Sequence, residues 1–318
     1  MGHPTNRRRC FGHRMAMHPS SRPADKDLIR GRIPFGDFEL TFCTDGTYLL
    51  DGGAMFGVVP KTLWQKRVAA DDANRILLGL NSVIVRTGSA VVVIETGIGN
   101  KQSDKMRQIH QNQELLPDSF AAAGIRPGEV THVINTHLHF DHCGWNTTLH
   151  PDGSVAPTFP HALYHAHRGE VEHGHLQLER DRVSYLSPNY DALIEGGRMN
   201  LIEGLPPGVE REIVPGISVE LFPGHTANLL AVHIRSGGQH ACYVSDLIPT
   251  SHHLDATWVM GYDLDPLTCI TERKRFLARA IAEKWLVLFT HDHQVPAATL
   301  SLNEKGKPVA SPLFTHLL

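Results

Sequence analysis

The sequence predicts an α+β fold in which two β-sheets pack face to face and helices cover the outer faces. Three observations lead there. Short runs that alternate apolar and polar residues, or are dense in Val and Ile, recur from Phe35 onward. They come as strand pairs, a helix and a strand, and that order is then repeated. No linker-like stretch separates the two halves, so residues 31–318 are expected to form one domain behind a loose N-terminal extension at residues 1–30.

Residues 38–42 alternate with period two, as a half-buried strand should. Asp45-Gly46 then reads as a hairpin turn that returns residues 47–50 as the partner strand. A second hairpin runs from residues 81–86 through Thr87-Gly88-Ser89 to residues 90–95, and its Val and Ile content places it in the interior. Residues 119–123 form a short helix stopped by Gly124. Residues 130–135 read as a strand that enters a His-rich loop. Three more strands follow at 217–222, 229–234 and 240–244, the last two joined by a turn at Ser236-Gly237-Gly238. Residues 272–284 are the clearest helix, with Phe276, Leu277, Ala280 and Ile281 on one face, and residues 285–289 a final buried strand. Residues 157–208 mix helical signals with His and Arg clusters and support no element.

Composition narrows the class. Of 318 residues, 41% are hydrophobic and 20% charged, which excludes a disordered chain. The net charge of −3 offers no electrostatic reason to expect nucleic acid or an anionic membrane as partner. No apolar run approaches the ~20 residues a membrane span requires. Cys10, Cys43, Cys143, Cys242 and Cys269 are odd in number and scattered, so a reduced, cytoplasmic protein is expected. Arg7-Arg8-Arg9 lacks the apolar stretch of an export signal, and Asn6 breaks the myristoylation pattern begun by Met1-Gly2. The unusual count is 22 His, which makes their placement the central question.

The segment Thr136-His137-Leu138-His139-Phe140-Asp141-His142-Cys143-Gly144 puts three imidazoles and a carboxylate at a strand's end. These donors suit zinc, iron, cobalt or manganese. At alternating spacing His137 and His139 can grip one ion, while Asp141 and His142 can turn toward a second.

His-x-His-x-Asp-His after a β-strand resembles the metallo-β-lactamase superfamily of metal-dependent hydrolases, across roughly residues 35 to 300. That resemblance implies an αββα sandwich and three further ligands at strand ends. Pro223-Gly224-His225-Thr226, Tyr243-Val244-Ser245-Asp246 and Phe289-Thr290-His291-Asp292 match them. It assigns His137, His139 and His225 to one metal and Asp141, His142 and His291 to the other, with Asp246 bridging. Two divalent ions, zinc foremost, would activate a bridging hydroxide. Glu95-Thr96-Gly97 stands where the family usually has Asp-Thr-Gly, so Glu95 is expected to orient ligand histidines from behind. Cys143 is expected to pack. His110, His150, His165, His167, His173, His175 and His240 are expected on the surface.

Residues 50–64 resemble the early segment of the quorum-quenching lactonases of this superfamily, which open N-acyl-homoserine lactones. Met55, Phe56, Val58 and Trp64 would then offer an apolar wall to an acyl chain, unless they are core. Several of those lactonases place a Tyr where this chain has Pro249, so carbonyl polarisation falls to His253 or to the metal alone. Asp141 is expected to carry the proton to the leaving alkoxide. A homodimer is what the resemblance implies. A thioesterase of the glyoxalase II type would need a basic C-terminal region, yet only Lys305 and Lys307 follow Val295. A phosphodiesterase or organophosphate hydrolase on the same site is the other alternative.

Overall fold

A computed structural model describes residues 28–314. Nearly all of the expected N-terminal extension, with Cys10 and the arginine run, lies outside the described residues. The described fold opens with strand β1 (Ile29–Phe35).

The first sheet continues with β2 (Phe38–Asp51), β3 (Arg75–Arg86), β4 (Val91–Ile94) and β5 (His132–Ile134). A small hairpin of β6 (Thr147–Leu149) and β7 (Val155–Pro157) stands apart. β8 (Leu163–His167) and β9 (Met199–Ile202) complete the first sheet in the order β1-β2-β3-β4-β5-β8-β9. The second sheet takes its strands in chain order: β10 (Glu210–Val214), β11 (Ile217–Leu221), β12 (Leu230–Ser236), β13 (Gln239–Tyr243), β14 (Leu286–Leu288), β15 (Ala297–Leu302) and β16 (Pro308–Pro312).

Alternating side chains build the layers. Val83, Val85, Val92 and Ile94 face Val219, Val232, Tyr243 and Leu288 in the core between the sheets. The residues between them point the other way. Ile84 and Val93 pack under Leu116 and Phe120 of the helix Leu116–Ala122. Cys242 and Val287 pack under Phe276, Leu277 and Ala280 of the helix Pro266–Ala282. The result is the expected αββα sandwich. A one-residue slip in any of these strands would exchange the two faces.

The hairpin expected at Asp45-Gly46 does not form. β2 runs straight through it, pairing with β3 from Glu39↔Arg86 to Asp51↔Arg75, with a register shift between Thr44 and Thr47. The physical reason is Asp45 itself. Its buried carboxylate accepts hydrogen bonds from Ile98 N at 2.8 Å, Leu116 N at 2.7 Å and Trp145 Nε1 at 2.9 Å, so the bend turns inward as a bulge. Residues 38–42 pair instead with β1 on one side and β3 on the other. Residues 157–208, unreadable beforehand, supply β8, β9 and the helix Arg168–Leu176 between them.

Candidate metal centre

Strand direction gathers the site. β4 and β5 are parallel, so Glu95 and the loop carrying His137 to His142 leave the first sheet at the same edge. β13 and β14 are parallel as well, and β11 runs antiparallel to their neighbour β12. His225, Asp246 and His291 therefore leave the second sheet together. Close backbone packing presses the loops home: an added Cβ on Gly144 would lie 2.0 Å from the carbonyl carbon of Ile98.

Two donor sets result. The ligand atoms of His137, His139 and His225 lie within 4.8 Å of one another, as do those of Asp141, His142 and His291. Asp246 reaches both sets. Its Oδ2 is 3.3 Å from His225 Nε2, and its Oδ1 is 3.4 Å from His142 Nε2 and 3.1 Å from His291 Nε2. His225 Nε2 lies 3.2 Å from His139 Nδ1, and His291 Nε2 lies 3.2 Å from His142 Nε2. All seven side chains are buried.

Neighbours select the nitrogen that faces inward. His291 Nδ1 donates to Gly79 O at 3.0 Å, which leaves Nε2 as a lone pair. His225 Nδ1 donates to Asp263 Oδ1 at 3.0 Å, with the same effect. Asp263 is fixed in turn by Met260 N at 2.9 Å and by the buried Arg273 guanidinium at 3.6 Å. Glu95 Oε1 accepts from Thr136 N at 2.9 Å and stands 3.6 Å from His142 Nδ1. Glu95 and Ser245 are both buried non-glycine residues at positive φ, so backbone strain is concentrated at two strand ends of this site.

The donor set fits cations. His137 Nε2, His139 Nε2 and Asp246 Oδ1 are buried with no hydrogen-bond partner, an arrangement that is costly unless something else meets them. Burial, then the neighbouring imidazoles, hold His137 and His139 well below the usual histidine range, in the neutral form that ligates metal. At His142 burial is outweighed by Asp246, Asp141 and Glu95, which draw positive charge to that position.

Sequence reasoning missed four contributors. Tyr48 donates its hydroxyl to Asp141 Oδ2 at 2.7 Å. Burial, then the Asp141 charge, keeps that phenol protonated. Asp263, Arg273 and Glu170 are the others, and no local motif marks any of them.

Other expectations are corrected. His253 is fully buried, donates from Nε2 to Met55 O at 2.9 Å and accepts from Thr250 Oγ1 at 2.8 Å on Nδ1. No ring nitrogen is left to polarise a carbonyl. Burial, then the Arg273 charge, brings its pKa down to about 3. Phe56 lies between this ring, 4.6 Å away and parallel, and Trp64 at 5.3 Å. Met55, Phe56 and Trp64 are core residues of two single-turn helices, Gly52–Phe56 and Lys61–Trp64, whereas Val58 is 87% exposed. His110 and His165 are buried rather than superficial: His110 bonds Gln102 and stacks on Phe140, and His165 bonds His132. His167, His173 and His240 are half-buried, while His150 and His175 are exposed as expected. Cys143 packs as expected, its thiol turned toward Leu138 O and His139 O.

Two stacked sheets with buried imidazoles and carboxylates at their strand ends define a candidate site for metal ions. The sequence pattern of the metallo-beta-lactamase superfamily matches residues 76–302, and the chain belongs to that superfamily. Its fold is similar to that of a probable metal-dependent hydrolase from Staphylococcus aureus, at 28% identity and TM-score 0.80 over 90% of this chain and 100% of the other. It is also similar to AidC, a dizinc quorum-quenching lactonase in complex with a product, at 19% identity and TM-score 0.74 over 90% and 98% of the two chains. An N-acyl homoserine lactone hydrolase with N-hexanoyl-L-homoserine at its catalytic metal centre is similar at 18% identity and TM-score 0.61, over 81% and 94%. Among the described residues, no helix is long and apolar enough to cross a membrane.

Proposed function

We propose that this hydrolase holds two divalent metal ions, zinc foremost, and opens the lactone ring of N-acyl-homoserine lactones. The observation that carries the dinuclear part is Asp246, with one oxygen at each of two complete donor sets. The likeness in fold to lactonases supports the choice of lactone. Bound in this site, a metal pair supplies an activated water and Lewis-acid polarisation of the carbonyl, so no Ser or Cys nucleophile is needed.

The chain's own residues do the rest. Tyr48 occupies Oδ2 of Asp141 and fixes that carboxylate. Asp141 faces its donor set through both oxygens, Oδ2 at 3.7 Å from His291 Nε2 and Oδ1 at 3.9 Å from His142 Nε2, and the oxygen that does not hold a metal is the one to take the attacking water's proton and return it to the leaving alkoxide, which prevents reclosure. Asp263 and Gly79 O keep the His225 and His291 rings from turning. Since Met55, Phe56 and Trp64 are buried, the acyl chain meets the half-buried rim of their cluster, where Trp258 and Tyr262 lie. Each methylene placed there adds up to ~0.8 kcal/mol.

The test is hydrolysis of acyl-homoserine lactones of increasing chain length by zinc-loaded protein, beside a glutathione thioester, a phosphodiester and an organophosphate triester. KM falling with chain length, and a flatter trend in Tyr262→Ala, is expected. Turnover of a thioester or phosphoester with the lactones untouched overturns the lactonase reading and leaves the metal hydrolase.

A further inference from the structure

We infer that Glu170 is a positioning residue that clamps together the two loops carrying His137, His139 and His225, and so sets the affinity of that donor set alone. The inference rests on the two-metal reading above.

Glu170 lies in the helix Arg168–Leu176, inside the stretch whose sequence pattern supported no element, and is 0% exposed. Among the described residues, no Lys or Arg pairs with it. Its two oxygens are instead spent on three donors from three separate segments. Oε2 accepts from Leu138 N at 3.2 Å and from the Tyr185 hydroxyl at 3.1 Å. Oε1 accepts from Thr226 Oγ1 at 2.5 Å.

The identity of those donors gives the residue its meaning. Leu138 is the residue between His137 and His139, and Thr226 directly follows His225. The two ligand loops come from different sheets, and Glu170 ties both to one carboxylate. The third donor closes the arrangement, because the Tyr185 ring stands edge-on to the His139 imidazole with centroids 4.8 Å apart. No such bond from Glu170 reaches Asp141, His142 or His291. A buried acid that only stabilised the fold would have no reason to discriminate between the two sets.

The clamp needs shape more than charge. In Glu170→Gln the amide oxygen can still accept from Leu138 N and Tyr185, while the amide NH₂ donates to the Thr226 hydroxyl, which can turn to accept. Glu170→Ala strands all three donors.

The experiment is a Zn²⁺ titration of metal-free protein against a chromophoric chelator, resolving both binding steps, with Co²⁺ absorption spectra to report the geometry of each step. Glu170→Ala is expected to weaken one step by ~10–100-fold, the range for loss of a group that orients metal ligands, and to leave the other unchanged. Glu170→Gln is expected to restore the wild-type pattern. Should Glu170→Ala not fold, Thr226→Val removes one arm of the clamp and is expected to shift the same step in the same direction. Equal weakening of both steps, or of neither, in a variant that folds overturns the inference while the two-metal reading stands. Wild-type protein that binds one Zn²⁺ or none overturns the two-metal reading and the clamp with it.

Discussion

Asp246 is the side chain on which both donor sets converge, so its replacement separates a shared ligand from an ordinary one. Asp246→Ala is expected to lose metal and activity together, with elemental analysis showing less bound metal per chain than in the wild type. His253 makes the opposite case. Buried, bonded at both nitrogens and stacked on Phe56, it serves the packing beneath the site rather than the chemistry within it. His253→Ala would open a cavity and strand Met55 O, a change expected to cost about 2–4 kcal/mol of stability. Denaturant unfolding should show that loss, while kcat/KM per metal-loaded molecule stays near wild type. A large fall in kcat with stability intact would return His253 to the active site.

At the scale of elements, the outer face of the second sheet depends on an ion cluster as well as on its apolar contacts. Glu220 of β11 is buried against the helix Pro266–Ala282, where Arg279 donates to both its oxygens at 2.8 Å and Arg275 also bonds it. His233 of β12 completes the cluster at 3.0 Å. Burial by itself would raise the carboxyl pKa, yet the hydrogen bonds from His233, Arg275 and Arg279 outweigh it and hold the group at about 2, against an ordinary 4.5. The sign follows from linkage. Above pH 4.5 the stabilisation is fully present. As pH falls from there toward 2 the unfolded chain takes up the proton first, and stability is lost. Glu220→Gln should therefore unfold more readily at neutral pH and show a shallower stability slope through that acid window, both readable by urea titration at several pH values.

For the molecule as a whole, the metal centre is where the two sheets depend on each other. His137, His139, Asp141 and His142 come from the first sheet, and His225, Asp246 and His291 from the second. Cations held between them would tie one layer to the other, since binding that favours the folded form stabilises it by about 2.7 kcal/mol at a free concentration one hundred times Kd. Chelation is expected to lower Tm, and added Zn²⁺ to restore it in a concentration-dependent way. Differential scanning calorimetry checks this without reference to any substrate. An unchanged Tm on removal of the metal would mean that the sheets hold the site unaided.

The candidate ligand residues are legible in one dimension because each group follows closely on a strand. A strand-to-loop junction is a local event, and His-x-His-x-Asp-His places four donors in one such loop. The strands themselves were legible from alternation, since a residue's face in a sheet depends only on its parity. Where a reading depended on what lies opposite in space, the chain alone could not decide. Asp45-Gly46 has the composition of a hairpin turn, but amides of Ile98 and Leu116, distant in sequence, draw the aspartate inward and keep β2 continuous. Met55, Phe56 and Trp64 have the same apolar character whether they line a cleft or fill a core, and the Phe56 stack between Trp64 and His253 made them core. Glu170 and Asp263 gave no local signal at all, since an acid becomes a clamp only when the donors it needs are brought to it from other strands.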